Sequence, residues 1–179
     1  MKKFAVLAVV FSAVALFVSS AFAVGPLRSV GVEAGYVSPD LSNIQGESGT
    51  WVAGAYLDFG LPVINLYINP FVDYYNWSNG TGSEQINFHD WTIGANLKWA
   101  IPTAGPVSPF IAAGASAHLL NVSQDALSID QGDTKYGFQA GAGVKVGVTK
   151  SASIIGSGWY HVVQDANNWS MRAGLAWSI

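Results

Sequence analysis

The feature that most constrains this chain is an alternation of apolar side chains with a period of two. The segment WTIGANLKWAI, residues 91–101, has a large or apolar side chain at nearly every second position and small or polar residues between them. Successive side chains of a β-strand point to opposite faces, so this pattern predicts a strand with one apolar face. The same pattern recurs along the chain and predicts eight strands, at 28–38, 49–60, 65–77, 87–101, 107–121, 134–148, 152–164 and 168–179.

The residues of the opposite face indicate which solvent the apolar face meets. They are small residues with isolated charges, and only 11% of the chain is charged, against roughly 25% in soluble proteins. A narrow barrel lumen suits small side chains and a few ionised groups that pair with one another. The chain is therefore predicted to be an all-β, eight-stranded, antiparallel up-and-down transmembrane β-barrel with its apolar face outward. A soluble lipocalin-like barrel, with polar residues outside, is the alternative.

The first residues predict a cleaved signal peptide. A basic start, MKK, precedes the apolar run FAVLAVVFSAVALFV and the small-residue ending SSAFA. We expect a signal peptide at 1–23 and a barrel domain at 24–179. A membrane-anchoring helix is the alternative, but the apolar run is shorter than the ~20 residues that span a bilayer.

Composition excludes several classes of partner and chemistry. The chain has no cysteine, which excludes disulfides and thiol catalysis. Removing Lys2 and Lys3 leaves 8 − 2 = 6 basic and 11 acidic residues, a net charge of 6 − 11 = −5. A net negative domain is not expected to bind nucleic acid.

The links between predicted strands alternate in length. Those after strands two, four and six are short, whereas those after strands one, three and five, at 39–48, 78–86 and 122–133, are long and polar. Outer-membrane barrels have short periplasmic turns and long outer loops. We therefore expect both termini in the periplasm of a Gram-negative-type bacterium. The long loops and their borders carry six acidic residues and no basic one, which suits a cation or a basic partner, or simply keeps the loops soluble: Asp40, Glu47, Glu84, Asp125, Asp130 and Asp133.

Taken together, the signal peptide, the eight strands and the last segment, SMRAGLAWSI, resemble the small eight-stranded outer-membrane barrels. This is the class of outer-membrane protein X and the transmembrane domain of outer-membrane protein A. The resemblance implies contact with outer-membrane lipid and lipopolysaccharide, and no cofactor. It also implies that Leu175, Trp177 and Ile179 form the terminal signal that engages the assembly machinery, although the family prefers Phe or Trp at the last position.

The polar residues that alternate with the apolar ones along the strands predict a charge network inside the barrel. Its charged members are of both signs: Glu33, Asp58, Asp73, Lys98, Lys145 and Arg172. An unpaired charge in a tight interior is costly, so these groups are expected to neutralise one another, with Lys98 meeting Asp58 or Glu33. Asn69, Asn96 and Gln139 fall on or near the same phase. The prediction is a plugged lumen; a narrow pore for small solutes is the alternative.

Aromatic residues predict the two membrane interfaces. Four tryptophans are expected at the outer interface and three aromatics at the inner one: Trp51, Trp77, Trp91 and Trp169, then Phe59, Trp99 and Trp177. In strand seven, residues 152–164, neither set of alternate residues is clearly the lipid face.

Three histidines bear on catalysis, because two known eight-stranded barrels modify lipid A with histidine. The lipid A deacylase has a serine two residues after its histidine, and neither His118 nor His161 has that neighbour. His89 and Asp90 are adjacent, and so point to opposite faces of a strand. No metal motif is present. The predicted function is structural or adhesive, without catalysis, and a lipid A-modifying enzyme is the less favoured alternative.

Overall fold

The computed structural model describes residues 26–39, 49–62, 65–79, 86–124, 129–163 and 167–179. Within these ranges the chain forms eight strands: β1 (Leu27–Pro39), β2 (Thr50–Gly60), β3 (Leu66–Asn79), β4 (Ile86–Ala100), β5 (Val107–Gln124), β6 (Ile129–Gly147), β7 (Ala152–Val163) and β8 (Asn168–Ser178). The predicted signal peptide lies outside the described residues. No helix in these ranges is long and apolar enough to cross a membrane.

Each strand pairs antiparallel with the next, and β8 pairs with β1 to close the barrel. Where all eight strands pair with both neighbours, closure leaves no free edge, so backbone N–H and C=O groups there are satisfied between strands. The predicted eight-stranded fold is confirmed. The alternation places apolar side chains outside, where Leu97 and Ile111 are about half exposed, and polar ones inside, where Thr92 and Asn96 are buried.

Strands β5 and β6 are longer than the sequence pattern predicts. The region 122–133 was expected to be a loop, but β5 continues to Gln124 and β6 begins at Ile129, and these two residues pair. Backbone pairing within a hairpin does not require an apolar face, so polar residues continue the ladder. The predicted loop is reduced to residues 125–128, which lie outside the described residues.

The barrel wall is taller on one side than on the other. Beyond the pair Gly137–Val163, β6 pairs with β5 alone among the described residues. Likewise, β3 continues beyond its last pair with β2, Val52–Tyr75. We call residues 76–79, 86–89, 121–124 and 129–136 the β3–β6 extension. Eight residues of β6 at ~3.3 Å each and a ~40° tilt reach roughly 20 Å beyond β7.

Strand β7 has a clear orientation. Tyr160 and Val162 are about half exposed on the outer face, whereas Ile155, Trp159 and His161 are buried inside. The sequence did not choose between the two sets because each contains apolar and aromatic residues.

Candidate functional site

Four of the aromatic rings inside the barrel pair across the strands with a glycine. The four pairs are Gly31–Tyr56, Phe71–Gly94, Phe110–Gly143 and Gly141–Trp159. A Cβ atom on Gly31 would lie 2.2 Å from Cζ of Tyr56, and one on Gly94 would lie 2.6 Å from Cζ of Phe71. The inward glycines therefore make room for rings from the neighbouring strand. Sequence analysis recognised the small residues as lumen-facing but did not identify the rings.

Asp58 and Lys98 form the charged layer nearest the short turns. The Nζ atom of Lys98 lies 2.5 Å from Oδ1 of Asp58, and both side chains are almost fully buried. Ser29 and Asn69 donate further hydrogen bonds to this carboxylate, at 2.8 and 2.9 Å. The Lys98 ammonium also lies 5.1 Å from the ring centre of Tyr56, a cation–π distance.

Three amides connect this layer to the middle of the lumen. Gln139 donates to Asn96 at 2.6 Å, Asn96 donates to Asn69 at 3.1 Å, and Asn69 donates to Asp58. Every donor in this series of hydrogen bonds points toward the Asp58 carboxylate, so each amide polarises the next. The series crosses the lumen from β6 to β2.

Asp73 and Arg172 form a second charged layer. The guanidinium donates to Asp73 at 2.7 Å, to the Tyr75 hydroxyl at 2.9 Å and to Ser170 at 3.1 Å. Less than a tenth of either charged side chain is exposed. The planar guanidinium thus satisfies three partners at once in a closed interior.

The two remaining predicted lumen charges lack an ion pair among the described residues. Glu33 accepts a hydrogen bond from Ser157 at 2.9 Å, and Ser157 in turn accepts one from Trp159. Lys145 lines the open cavity described below. Of the two acidic partners expected for Lys98, the structure selects Asp58.

A third polar cluster was not recognised from the sequence. Nδ1 of His118 lies 2.8 Å from Asp90 and 2.8 Å from the Thr92 hydroxyl, and Nε2 lies 3.2 Å from Ser116. All four side chains are buried. Adjacent residues of a strand point to opposite faces, and Trp91 points outward. The alternation could therefore have predicted that Asp90 faces the lumen. His89 points the other way and contacts the Tyr74 hydroxyl at 2.7 Å.

Two cavities inside the barrel differ greatly in volume. The central one has a volume of about 10 Å³ and is bordered by Glu33, Asn96 and Arg172. A water molecule needs ~10–15 Å³, so the middle of the lumen is closed to solutes. The other, about 400 Å³, opens at the end where the chain termini and short turns lie, and we call it the vestibule.

The outer surface carries the aromatic residues expected at the interfaces, with one correction. Five of the predicted residues are 41–50% exposed: Trp51, Trp91, Trp99, Trp169 and Trp177. Phe59 was expected to face lipid but is only 7% exposed. A β-bulge at Arg28 disturbs the pairing opposite it, and Asp58, Phe59 and Gly60 are buried in succession. The side chain of Trp77 lies outside the described residues.

Additional aromatics join these tryptophans into a row. Tyr74 lies 5.6 Å from Trp51 and 4.9 Å from Trp91, measured between ring centres, and Tyr36 lies 6.2 Å from Trp169. In the terminal strand, Leu175 and Trp177 are also exposed, as is Ile179 after it.

Comparisons with known proteins agree with this geometry. Residues 93–173 match a protein family described as surface antigen. Neisserial surface protein A is 17% identical, with a TM-score of 0.67 over 86% of this chain and 96% of that one. Ail of Yersinia pestis, crystallised with the heparin analogue sucrose octasulfate, is 14% identical, with a TM-score of 0.57 over 86% and 97%. No curated protein sequence matches significantly.

The chain has the fold of a small eight-stranded β-barrel. The N-terminal barrel domain of Pseudomonas aeruginosa OprF has the same fold, with 14% identity and a TM-score of 0.54 over 84% of this chain and 97% of that one. Most of the three predicted outer loops lie outside the described residues.

Proposed function

We propose that this barrel is a non-conducting surface-interaction protein that binds a partner through the β3–β6 extension. The observation that carries the proposal is the edge of β6 at residues 129–134, which have β5 on one side and no strand on the other among the described residues. An unpaired edge presents backbone N–H and C=O groups that an extended peptide can pair with. The closed middle of the lumen supports a role outside the barrel rather than within it.

Charge supports a basic or neutral partner. The three predicted outer loops contain six acidic residues and no lysine or arginine. The extension also carries Lys135, whose Nζ atom lies 3.8 Å from Oδ2 of Asp133. Such an end repels polyanions such as the sulfated sugar bound by Ail. An extended segment with lysine or arginine residues, on a host or matrix protein, combines edge pairing with charge complementarity.

The binding test removes the β6 edge as far as Thr134. Residues 120–133 are replaced by an Asn-Gly turn, which retains the facing pair Leu119–Thr134. Cells that display this variant are expected to lose adhesion to matrix-coated surfaces. The matched control replaces residues 80–85, in the loop between β3 and β4, with the same turn and should retain adhesion. Equal adhesion by wild type and the 120–133 variant would rule out the β6 edge as the binding surface.

The proposal also places the extension outside the cell and both termini in the periplasm. The chain has no cysteine, so a single introduced one reports its own position. In intact cells, an impermeant maleimide should label Ser83→Cys in a long loop and leave Ala104→Cys in a short turn unlabelled. The reverse labelling would invert the orientation.

In the outer membrane, the exposed girdle residues would contact lipid and lipopolysaccharide. Leu175, Trp177 and Ile179 would serve the assembly machinery. Replacing Trp177 with serine should lower the amount of folded barrel in outer-membrane fractions, whereas the same change at Trp169, in the same strand, should lower it less.

A barrel hydrolase is the second candidate, favoured by one observation. Ser116, His118 and Asp90 bond in the order of a serine hydrolase triad. None of the three borders either cavity, and Ser116 is 7% exposed. A fluorophosphonate probe is therefore expected to leave Ser116 unlabelled. Labelling that disappears in Ser116→Ala, with a change in the acyl chains of lipid A, would favour the enzyme.

A further inference from the structure

The vestibule is enclosed by residues of the barrel strands. Its volume is about 400 Å³, and all eight strands contribute lining residues. The inner wall includes the rings of Tyr67 and Phe110, and the serine hydroxyls of the lining come from several strands. The lining therefore offers hydrogen-bond donors around an open space.

One basic residue reaches the vestibule because of a β-bulge. Leu27 pairs with Phe59 and Ser29 pairs with Asp58, so Arg28 is the extra residue of β1. Strict alternation would point Arg28 outward, since its neighbour Ser29 is buried inside. Instead Arg28 lies across Gly60, where a Cβ atom would be 3.0 Å from its Nε, and lines the cavity. Bulges commonly redirect a side chain in this way next to functional sites.

Positive charge in the vestibule exceeds negative charge. Arg28, Lys98 and Lys145 line it, against the side-chain carboxylate of Asp58 and the terminal carboxylate of Ile179. The Asp58 carboxylate already accepts bonds from Lys98, Ser29 and Asn69. Among the residues that the structure describes, neither Arg28 nor Lys145 has an ion pair. A cation beside an open cavity, with its nearest carboxylate occupied, favours an anion from solution.

We propose that the vestibule binds a small oxyanion, either inorganic phosphate or the phosphate or carboxylate group of a larger molecule. Lys145 and Arg28 provide the charge, and serine hydroxyls such as Ser108 and Ser153 on the neighbouring strands β5 and β7 donate hydrogen bonds. The site lies at the opposite end of the barrel from the β3–β6 extension, so anion binding there does not depend on the proposed surface interaction.

The test is a titration of the ¹⁵N-labelled barrel in maltoside micelles, which contain no phosphate. Sodium phosphate and, separately, sodium acetate are added against chloride at constant ionic strength, and the backbone amide shifts of Gly147 and Ser153 are followed. Saturable shifts are expected. Tighter binding of phosphate assigns the site to phosphates, and tighter binding of acetate assigns it to carboxylates.

Variants identify the groups responsible. Lys145→Gln and Arg28→Gln should each weaken binding about tenfold or more, as expected for loss of a charged hydrogen bond. The matched control is Lys150→Gln, an exposed lysine in the adjacent turn that does not line the cavity, and it should bind as wild type does. Unchanged amide shifts at Thr92 show that a variant remains folded. Shifts that do not saturate, or that are the same in Lys145→Gln, overturn the proposal.

Discussion

The two charged layers of the lumen neutralise a buried carboxylate with different basic side chains and in different surroundings. In each, a buried carboxylate meets one basic side chain, Asp73 with Arg172 and Asp58 with Lys98. Arg172 donates to three separate groups beside a cavity of only about 10 Å³. Lys98 has one carboxylate partner and borders the open vestibule. The comparison indicates that the guanidinium layer closes the barrel, whereas the ammonium layer leaves room for solvent or a ligand.

Removing the cation from the closed layer should have the largest effect. Arg172→Met leaves Asp73 buried without its charge partner and takes a donor from Tyr75 and Ser170. We expect a loss of about 3–5 kcal/mol in the free energy of unfolding, measured by guanidinium chloride unfolding in phospholipid vesicles. Adding Asp73→Asn should recover part of the loss. A loss below about 1 kcal/mol would show that this ion pair does not hold the lumen together.

The same change in the open layer should cost less. In Lys98→Met, Asp58 keeps its hydrogen bonds from Ser29 and Asn69 and can be hydrated from the vestibule. A loss of about 1–3 kcal/mol is expected in the same unfolding experiment. If Lys98→Met destabilised the barrel as much as Arg172→Met, the distinction between a closed and an open layer would be wrong.

The packing between the layers can be tested with one methyl group. A Cβ atom at Gly94 would lie 2.5 Å from the Ala115 carbonyl oxygen and 2.6 Å from the Phe71 ring. Gly94→Ala should therefore cost about 1–3 kcal/mol through overpacking. The matched control is Gly156→Ala, where a Cβ atom would meet nothing within 4 Å; equal losses at both sites would argue against tight packing.

The smallest expected effect is on conductance. The closed middle of the lumen predicts no steady current through the wild-type barrel in a planar bilayer. Lys98→Met should remain closed as well, because the Tyr56 and Phe110 rings and the amide chain still fill the lumen. A steady, sizeable current through the wild type would support the narrow pore instead.

Much of the fold could be predicted because its signal is local. Two-residue alternation identified all eight strands and the inward positions of Asp58 and Lys98. It failed at Phe59, because a bulge interrupts the period, and in the β5–β6 hairpin, because pairing alone extends a strand through polar residues. It missed Asp90 and His118 as a pair because 28 residues separate them.

Outside β7 and the bulge near Arg28 and Phe59, the sequence by itself determined which strand side chains point outward and which face the lumen, because that choice depends on the pleat of each strand. Tertiary structure decided which lumen groups meet. Strand register pairs four lumen rings with glycines, and the bulge directs Arg28 into the vestibule. Unequal strand lengths leave residues 129–134 of β6 with one neighbouring strand among the described residues. These features depend on neighbouring strands that are distant in the chain, and a two-residue period carries no information about them.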